Sequence, residues 1–220
     1  KTDADKIEEV LKADGRKALQ EAEKKGYEGL LKESAEAWKK YWEKSDITIE
    51  SKNGFDQLAV RFALYHLNIM VKHDDNRVGI GAKALTGEGY KGHSFWDTEM
   101  FILPYFTFTQ PETARTLLEY RYRNLYGAHL KAKESGYEGA MYPWECAWVD
   151  DGEVTPLYLG ADVVTGKLIK VLTGILEHHI SADIAYAVEQ YYLVTGDREY
   201  MEKYGYEIIL DTALFWASRV

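Results

Sequence analysis

An all-α fold of antiparallel helix pairs is what this sequence predicts, and three observations predict it. Apolar residues recur at helical spacing over stretches long enough for helices, these stretches alternate with long loops, and almost no run has the period-two alternation of a half-buried strand. A chain of 220 residues, 46% hydrophobic and 14% aromatic, is long enough to bury a core and is not of disordered composition.

The elements follow in chain order. From Asp3 to Lys25 the sequence is rich in Lys, Glu and Ala, with sparse apolar residues (Ile7, Val10, Leu11, Leu19), predicting a solvated helix with a narrow buried stripe. Gly26 ends it. Tyr27 to Lys44 sets Leu30, Leu31, Trp38, Tyr41 and Trp42 at near-helical spacing, a heavier apolar face. Residues 1–52 thus read as two helices that connect to the main body, 53–220. After a short extended piece at Ser45 to Ser51, Phe55 to His73 reads as a buried helix with Phe55, Leu58, Ala59, Phe62, Ile69 and Met70 on one side. Five glycines fall between Gly79 and Gly92, with Lys83, Thr86 and Glu88 among them. The string Gly79 to Ala84 matches G-x-G-x-x-A, but that fingerprint has physical meaning only between a strand and a helix, and here it follows a helix and a polar stretch. It is read as a flexible loop at the mouth of the fold.

Past Asp97 the chain is strongly apolar to Thr107, and Pro111 opens a helix with Ala114, Leu117, Leu118 and Leu125 on one face, ending near Gly136. Gly136 to Gly160, rich in Gly, Pro and Asp and carrying Trp144 and Trp148, is too long for a bare connection and predicts a site loop. Ala161 to Gly174 predicts a hairpin around Thr165-Gly166-Lys167, lying over the entrance. Ile184, Val188, Tyr191 and Tyr192 then recur at i, i+4, i+7 and i+8, so a helix begins near Ser181 and Glu177 sits in its approach. A last helix runs from Asp197, a plausible N-cap, through Met201, Tyr204, Ile208 and Phe215.

A net charge of −9 and a pI near 5.2 argue against nucleic acid or an anionic membrane surface as partner, since both would repel the chain. Phosphate is repelled too, so a phosphate site needs a local basic cluster, and none lies near Glu177 in sequence. No apolar run is long enough to span a bilayer, and no charged start with an apolar segment resembles a signal peptide. The single Cys146 forms no internal disulfide, which fits a reducing cytoplasm. A start at Lys1 rather than Met leads to the expectation that upstream sequence has been removed.

Three motifs carry chemistry. Glu177 is the candidate catalytic acid; because N–H groups at a helix start favour a carboxylate, it needs burial or a neighbouring negative charge to keep a proton near neutral pH. Phe95-Trp96-Asp97-Thr98-Glu99 and Tyr142-Pro143-Trp144-Glu145 each set an indole beside a carboxylate. An indole covers the apolar face of a sugar ring and a carboxylate accepts its hydroxyl hydrogen bonds, although each pair also reads as a core aromatic beside a solvated acid. His178 and His179 beside Glu177 and Asp183 do not make a metal site, because adjacent histidines project in different directions and match no helical ligand pair. His66, His93 and His129 read as ordinary hydrogen-bonding histidines. Cys146, with no basic group close in sequence, reads as packing.

Taken together, GHSFWDTEMFILPYF, GYEGAMYPWEC, EVTP and LEHHISADIAYAVEQYYLVTGD resemble the catalytic domain of glycoside hydrolase family 65, the inverting phosphorylases of α-linked glucosides such as trehalose, maltose, kojibiose and nigerose. The resemblance covers residues 53 to 220. It implies an (α/α)6 barrel, with residues 1–52 as linker helices from a preceding β-domain. Glu177, followed by His179 and Ile180, is implied as general acid, and Trp96, Asp97, Trp144 and Glu145 as the glucose-binding subsite, with His179 counted among the substrate-binding residues. In this mechanism Asp97 and Glu145 also bias Glu177 toward its acid form and stabilise an oxocarbenium-like transition state. Phosphate, already anionic, attacks the anomeric carbon without a protein base, so one acid suffices where an inverting hydrolase needs two carboxylates. β-Glucose 1-phosphate and a free acceptor result.

No metal or cofactor is implied beyond inorganic phosphate as co-substrate. The family's phosphate-binding residues lie downstream, past Val220. About five helical segments from Phe55 onward are fewer than half of a closed ring, so the rest of the barrel is expected from another segment or chain, and the complete enzyme is expected to be a homo-oligomer. Two rivals stand beside this reading: a hydrolase of the same fold, such as an acid trehalase or glucoamylase-like enzyme, and a non-catalytic sugar-binding half-barrel.

Overall fold

The structure, a computed structural model, describes residues 8–84 and 87–220. Ile7 of the first stripe and Thr86 of the glycine loop lie outside these. The chain divides into two compact units, one ending at Arg61 and one from Phe62 to Val220.

In the first unit, α1 (Glu8–Ser45) is helical on both sides of Gly26, whose φ of 65° breaks it, a left-handed conformation that glycine adopts without a Cβ clash. The expected stripes are not buried. Leu19 is 72% exposed and Leu31 49%, because no described element covers that face. Trp38, Tyr41 and Trp42 instead pack on one another, with centroids 4.8–5.9 Å apart. Past α1, Arg61 clamps Asp46 with two of its guanidinium nitrogens, Nε and Nη2. Gln57 brackets the extended piece, donating to Ile47 O and accepting from Ile49 N–H.

Helix α2 (Phe55–Ile69) corrects the sequence reading. Phe55, Leu58 and Phe62 are 63–71% exposed and Leu64 is the buried residue; periodicity finds an apolar face but not whether this chain supplies its partner.

The second unit holds the core. After the glycine loop, a π-type turn (Thr98–Ile102) runs into α3 (Leu103–Thr109), the strongly apolar segment past Asp97. The single helix expected from Pro111 is two, α4 (Pro111–Arg123) and α5 (Leu125–Glu134). Asn124 breaks them, turning its amide onto the Tyr120 carbonyl, the local competition that disfavours Asn inside helices. The loop from Ser135 to Leu157 leads into an antiparallel hairpin of β1 (Tyr158–Ala161) and β2 (Leu168–Lys170). Its turn is tied by Asp162, which accepts from the Val164 and Thr165 N–H groups. The hairpin is fully exposed and starts earlier than predicted; Val163 and Val164 sit in its turn.

A short α6 (Thr173–Leu176) precedes α7 (Ile180–Thr195), closed by Gly196 at φ 65°. Asp197 is the predicted N-cap, accepting from Tyr200 N–H at 2.9 Å. α8 (Arg198–Tyr200), a second π-type turn (Met201–Gly205) and α9 (Tyr206–Arg219) complete the chain. Helices α3, α4 and α9 pack around α7. Leu103, Phe106, Leu117, Leu118, Ile180, Ile184, Val188, Tyr200 and Ile208 form one buried cluster.

Candidate active site

Two loops and the approach to α7 meet beside this core. Ser94 and Cys146 exchange backbone hydrogen bonds at 2.9 and 3.0 Å, so the FWDTE and YPWE segments are stitched side by side. Phe95 meets Trp144 edge to face at 5.9 Å and Tyr90 at 5.3 Å. A cavity of about 380 Å³ opens there, lined among others by Met70, Lys83, Tyr90, Trp96, Asp97 and Trp144. Both indoles thus wall one space, and Asp97 is on its rim. Neither strand of the hairpin lines that cavity; the flanking residues Leu157 and Val171 border a separate groove with Lys131, Glu153 and Ile175, so its expected position over the entrance is not observed.

Glu145 is paired with His93, whose Nδ1 lies 2.7 Å from its Oε1, and neither residue is part of this cavity's lining. Glu177 is linked to a different group. Its Oε2 is 3.1 Å from Nε2 of His179, whose Nδ1 is 2.5 Å from Asp183 Oδ2. The His179 ring stands edge-on to Trp96 at 4.7 Å, which joins the acid cluster to the first indole. Glu177 precedes α7 because α6 ends at Leu176 and the chain turns through residue 177 with φ −80°, ψ 78°, out of the helical region.

Sequence reasoning missed two supports behind these loops. Arg121, on the buried face of α4, holds Glu99 with two bonds of 2.6 and 2.7 Å, both side chains 1% exposed. It also donates to the Phe95 carbonyl at 2.8 Å and to Cys146 Sγ at 3.1 Å. One guanidinium therefore fixes both site segments. The signal was present: a charge one turn from Leu117 and Leu118 on an apolar face requires a buried partner. Cys146, despite that neighbour, has its thiol pushed up by burial, which suits packing rather than nucleophilic chemistry.

The second support is Glu153 of the EVTP segment. Its carboxylate accepts from the Trp144 and Glu145 N–H groups at 2.8 and 3.2 Å and from Thr155 Oγ1 at 2.7 Å, and pairs with buried Lys131 at 2.5 Å. Among the described residues no group of three or more His, Cys, Asp or Glu side chains could hold a metal ion. No helix among them is long and apolar enough to cross a membrane.

The fold and this pairing of indole, carboxylate and acid define a class. Residues 61–220 match the model of the glycosyl hydrolase family 65 central catalytic domain, and the chain belongs to that family. It is 55% identical over 203 residues to a kojibiose phosphorylase of Halothermothrix orenii, covering 92% of this chain and 26% of that protein. It is also 41% identical to a kojibiose hydrolase of Flavobacterium johnsoniae, covering 89% and 26%. Among solved structures, a candidate kojibiose phosphorylase from the human microbiome aligns with a TM-score of 0.81 at 28% identity, over 98% of this chain and 26% of that one. The fold is all-α, part of an (α/α)6 barrel preceded by linker helices. The chain spans about a quarter of the length of the curated relatives it matches.

Proposed function

We propose that this chain is the part of an inverting α-glucoside phosphorylase that carries the general acid and the walls of the glucose site. The observation that supports the reading is the His179 ring, whose Nε2 is 3.1 Å from Glu177 and which stands edge-on to Trp96, a wall of the cavity, at 4.7 Å. In this reading Trp96 and Trp144 cover the glucosyl ring and Asp97 accepts its hydroxyls, with His179 at the edge. Glu145, tied to His93, shapes the same loop. Glu177 protonates the departing glycosidic oxygen while phosphate attacks the anomeric carbon from the opposite face, yielding β-glucose 1-phosphate and a free sugar. Kojibiose is the first substrate to test, given the names of the relatives. No cofactor is required. The remainder of the barrel, with the phosphate site, comes from further sequence or another chain, the complete enzyme is a homo-oligomer, and the single buried thiol of this chain suits the cytoplasm.

The hydrolase relative keeps a second reading in play, in which water replaces phosphate and a second carboxylate acts as base. Phosphate dependence on the barrel-containing protein separates them. Phosphorolysis predicts that disaccharide consumption stops without phosphate; consumption at full rate in its absence would establish the hydrolase. Glu177→Gln tests the acid itself: turnover on the disaccharide falls by about two to four decades, the contribution of a positioned general acid. α-Glucosyl fluoride, whose leaving group needs no proton, is spared. Equal loss on both substrates would make Glu177 a structural residue.

A further inference from the structure

We infer that Asp183 and His179 form a positioning dyad that orients the Glu177 carboxyl and the proton it shares with His179; the inference rests on the reading of Glu177 as general acid. The geometry is specific. Asp183 lies one helical turn beyond His179 at the start of α7, so the two side chains share a face, and Nδ1 to Oδ2 is 2.5 Å. A carboxylate only accepts, so Nδ1 carries the hydrogen. That bond fixes the tautomer and turns the other nitrogen, Nε2, toward Glu177 Oε2 at 3.1 Å. Two groups at hydrogen-bond distance that have only lone pairs repel; one proton must lie between them. With Nδ1–H committed to Asp183, that proton bridges Nε2 and Glu177 Oε2 and holds the carboxyl in one orientation. Among the described residues the charged or titratable partners of His179 are Glu177 and Asp183. The element across from it presents the uncharged edge of Trp96, with Asp97 next in the chain.

The proton balance closes. As the C–O bond breaks, the glycosidic oxygen takes the proton from the Glu177–His179 pair and leaves as a hydroxyl, while an oxygen of hydrogen phosphate bonds to the anomeric carbon. The glucose 1-phosphate formed still carries the phosphate's hydrogen; its release returns one proton to the pair. No external acid is consumed over the cycle.

The test uses the barrel-containing protein with three variants, Asp183→Asn, His179→Gln and Glu177→Gln, each assayed with disaccharide plus phosphate and with α-glucosyl fluoride plus phosphate. An Asn at 183 replaces a group that only accepts with an amide that can accept or donate, so the ring tautomer is no longer fixed and Nε2 no longer holds Glu177 in place. Asp183→Asn should lower kcat on the disaccharide by about 100-fold, the low end of an acid's contribution. KM should change little, fluoride turnover should be spared, and the alkaline limb of the pH–rate profile should move to lower pH. Asp183→Glu should restore part of the loss. His179→Gln should show the same split between substrates, which keeps the test decisive if Asp183→Asn folds poorly. Equal loss on both substrates, no loss on either, or an unmoved alkaline limb would overturn the dyad while leaving Glu177 as acid. If Glu177→Gln itself fails to separate the substrates, the reading beneath the dyad falls and the dyad with it.

Discussion

Two acids of the FWDTE segment have opposite fates: Asp97 is exposed on the cavity rim, while Glu99 is 3% exposed and paired with Arg121. Their spacing in sequence gave no sign of which would be which, because a π-type turn starting at Thr98 rotates the chain between them. The difference sets a prediction. Asp97→Asn should cut kcat of the barrel-containing enzyme more than it raises KM, because a charged bond to a ring hydroxyl strengthens as positive charge develops on the sugar. Trp96→Ala or Trp144→Ala should mainly raise KM for the sugar. If Asp97→Asn shifts only the melting temperature, Asp97 does not touch substrate. Glu99, by contrast, should affect stability first: Arg121→Leu leaves a fully buried carboxylate unpaired and should cost about 3–5 kcal/mol, read from denaturant midpoints. Replacing both partners with apolar residues should recover much of that loss.

Elements that pack within the described chain were legible; those whose partners lie elsewhere were not. The face of α7 follows the spacing of Ile184, Val188 and Tyr191, all 0–3% exposed, and the break at Gly26 was readable from glycine alone. The exposed face of α2 was misread because apolar periodicity does not name the covering element. Within EVTP, Glu153 shows no role in the sequence, since the partners that tie it to the site loop are backbone N–H groups eight and nine residues earlier, and backbone donors leave no trace in a sequence. The junction of α7 and α8 offers a pH test. Burial works against the charge of Asp197, but bonds from Tyr200 N–H, Tyr191 Oη and Arg115 hold its carboxyl below the usual carboxylate range. Its ionised form is therefore favoured by folding, a contribution present above the ordinary value of 3.8 and lost as pH falls through the lower folded value. Asp197→Ala should cost about 1 kcal/mol at neutral pH as a lost cap, and the cost should shrink in acid. A cost independent of pH would mean the ionic part is absent.

At the scale of the whole molecule the apolar surface points to missing neighbours. Phe101, Phe108, Tyr186 and Leu193, on or beside α3 and α7, are 50–74% exposed, and a groove between these helices is lined by Pro104, Phe108, Tyr186 and Val194. Such contiguous apolar surface is uncommon on soluble monomers. Expressed alone, residues 1–220 should self-associate and show no phosphorolysis, and activity should return when the remaining helices are supplied in cis or as a second chain; a monodisperse, active monomer would overturn the partial-barrel account. The most direct measurement follows kojibiose by proton and phosphorus NMR, with the barrel-containing protein and with or without phosphate. The account predicts glucose 1-phosphate appearing first as the β-anomer, one free glucose with each, and no reaction without phosphate. Initial formation of the α-anomer, or release of two glucoses in phosphate-free buffer, would contradict it.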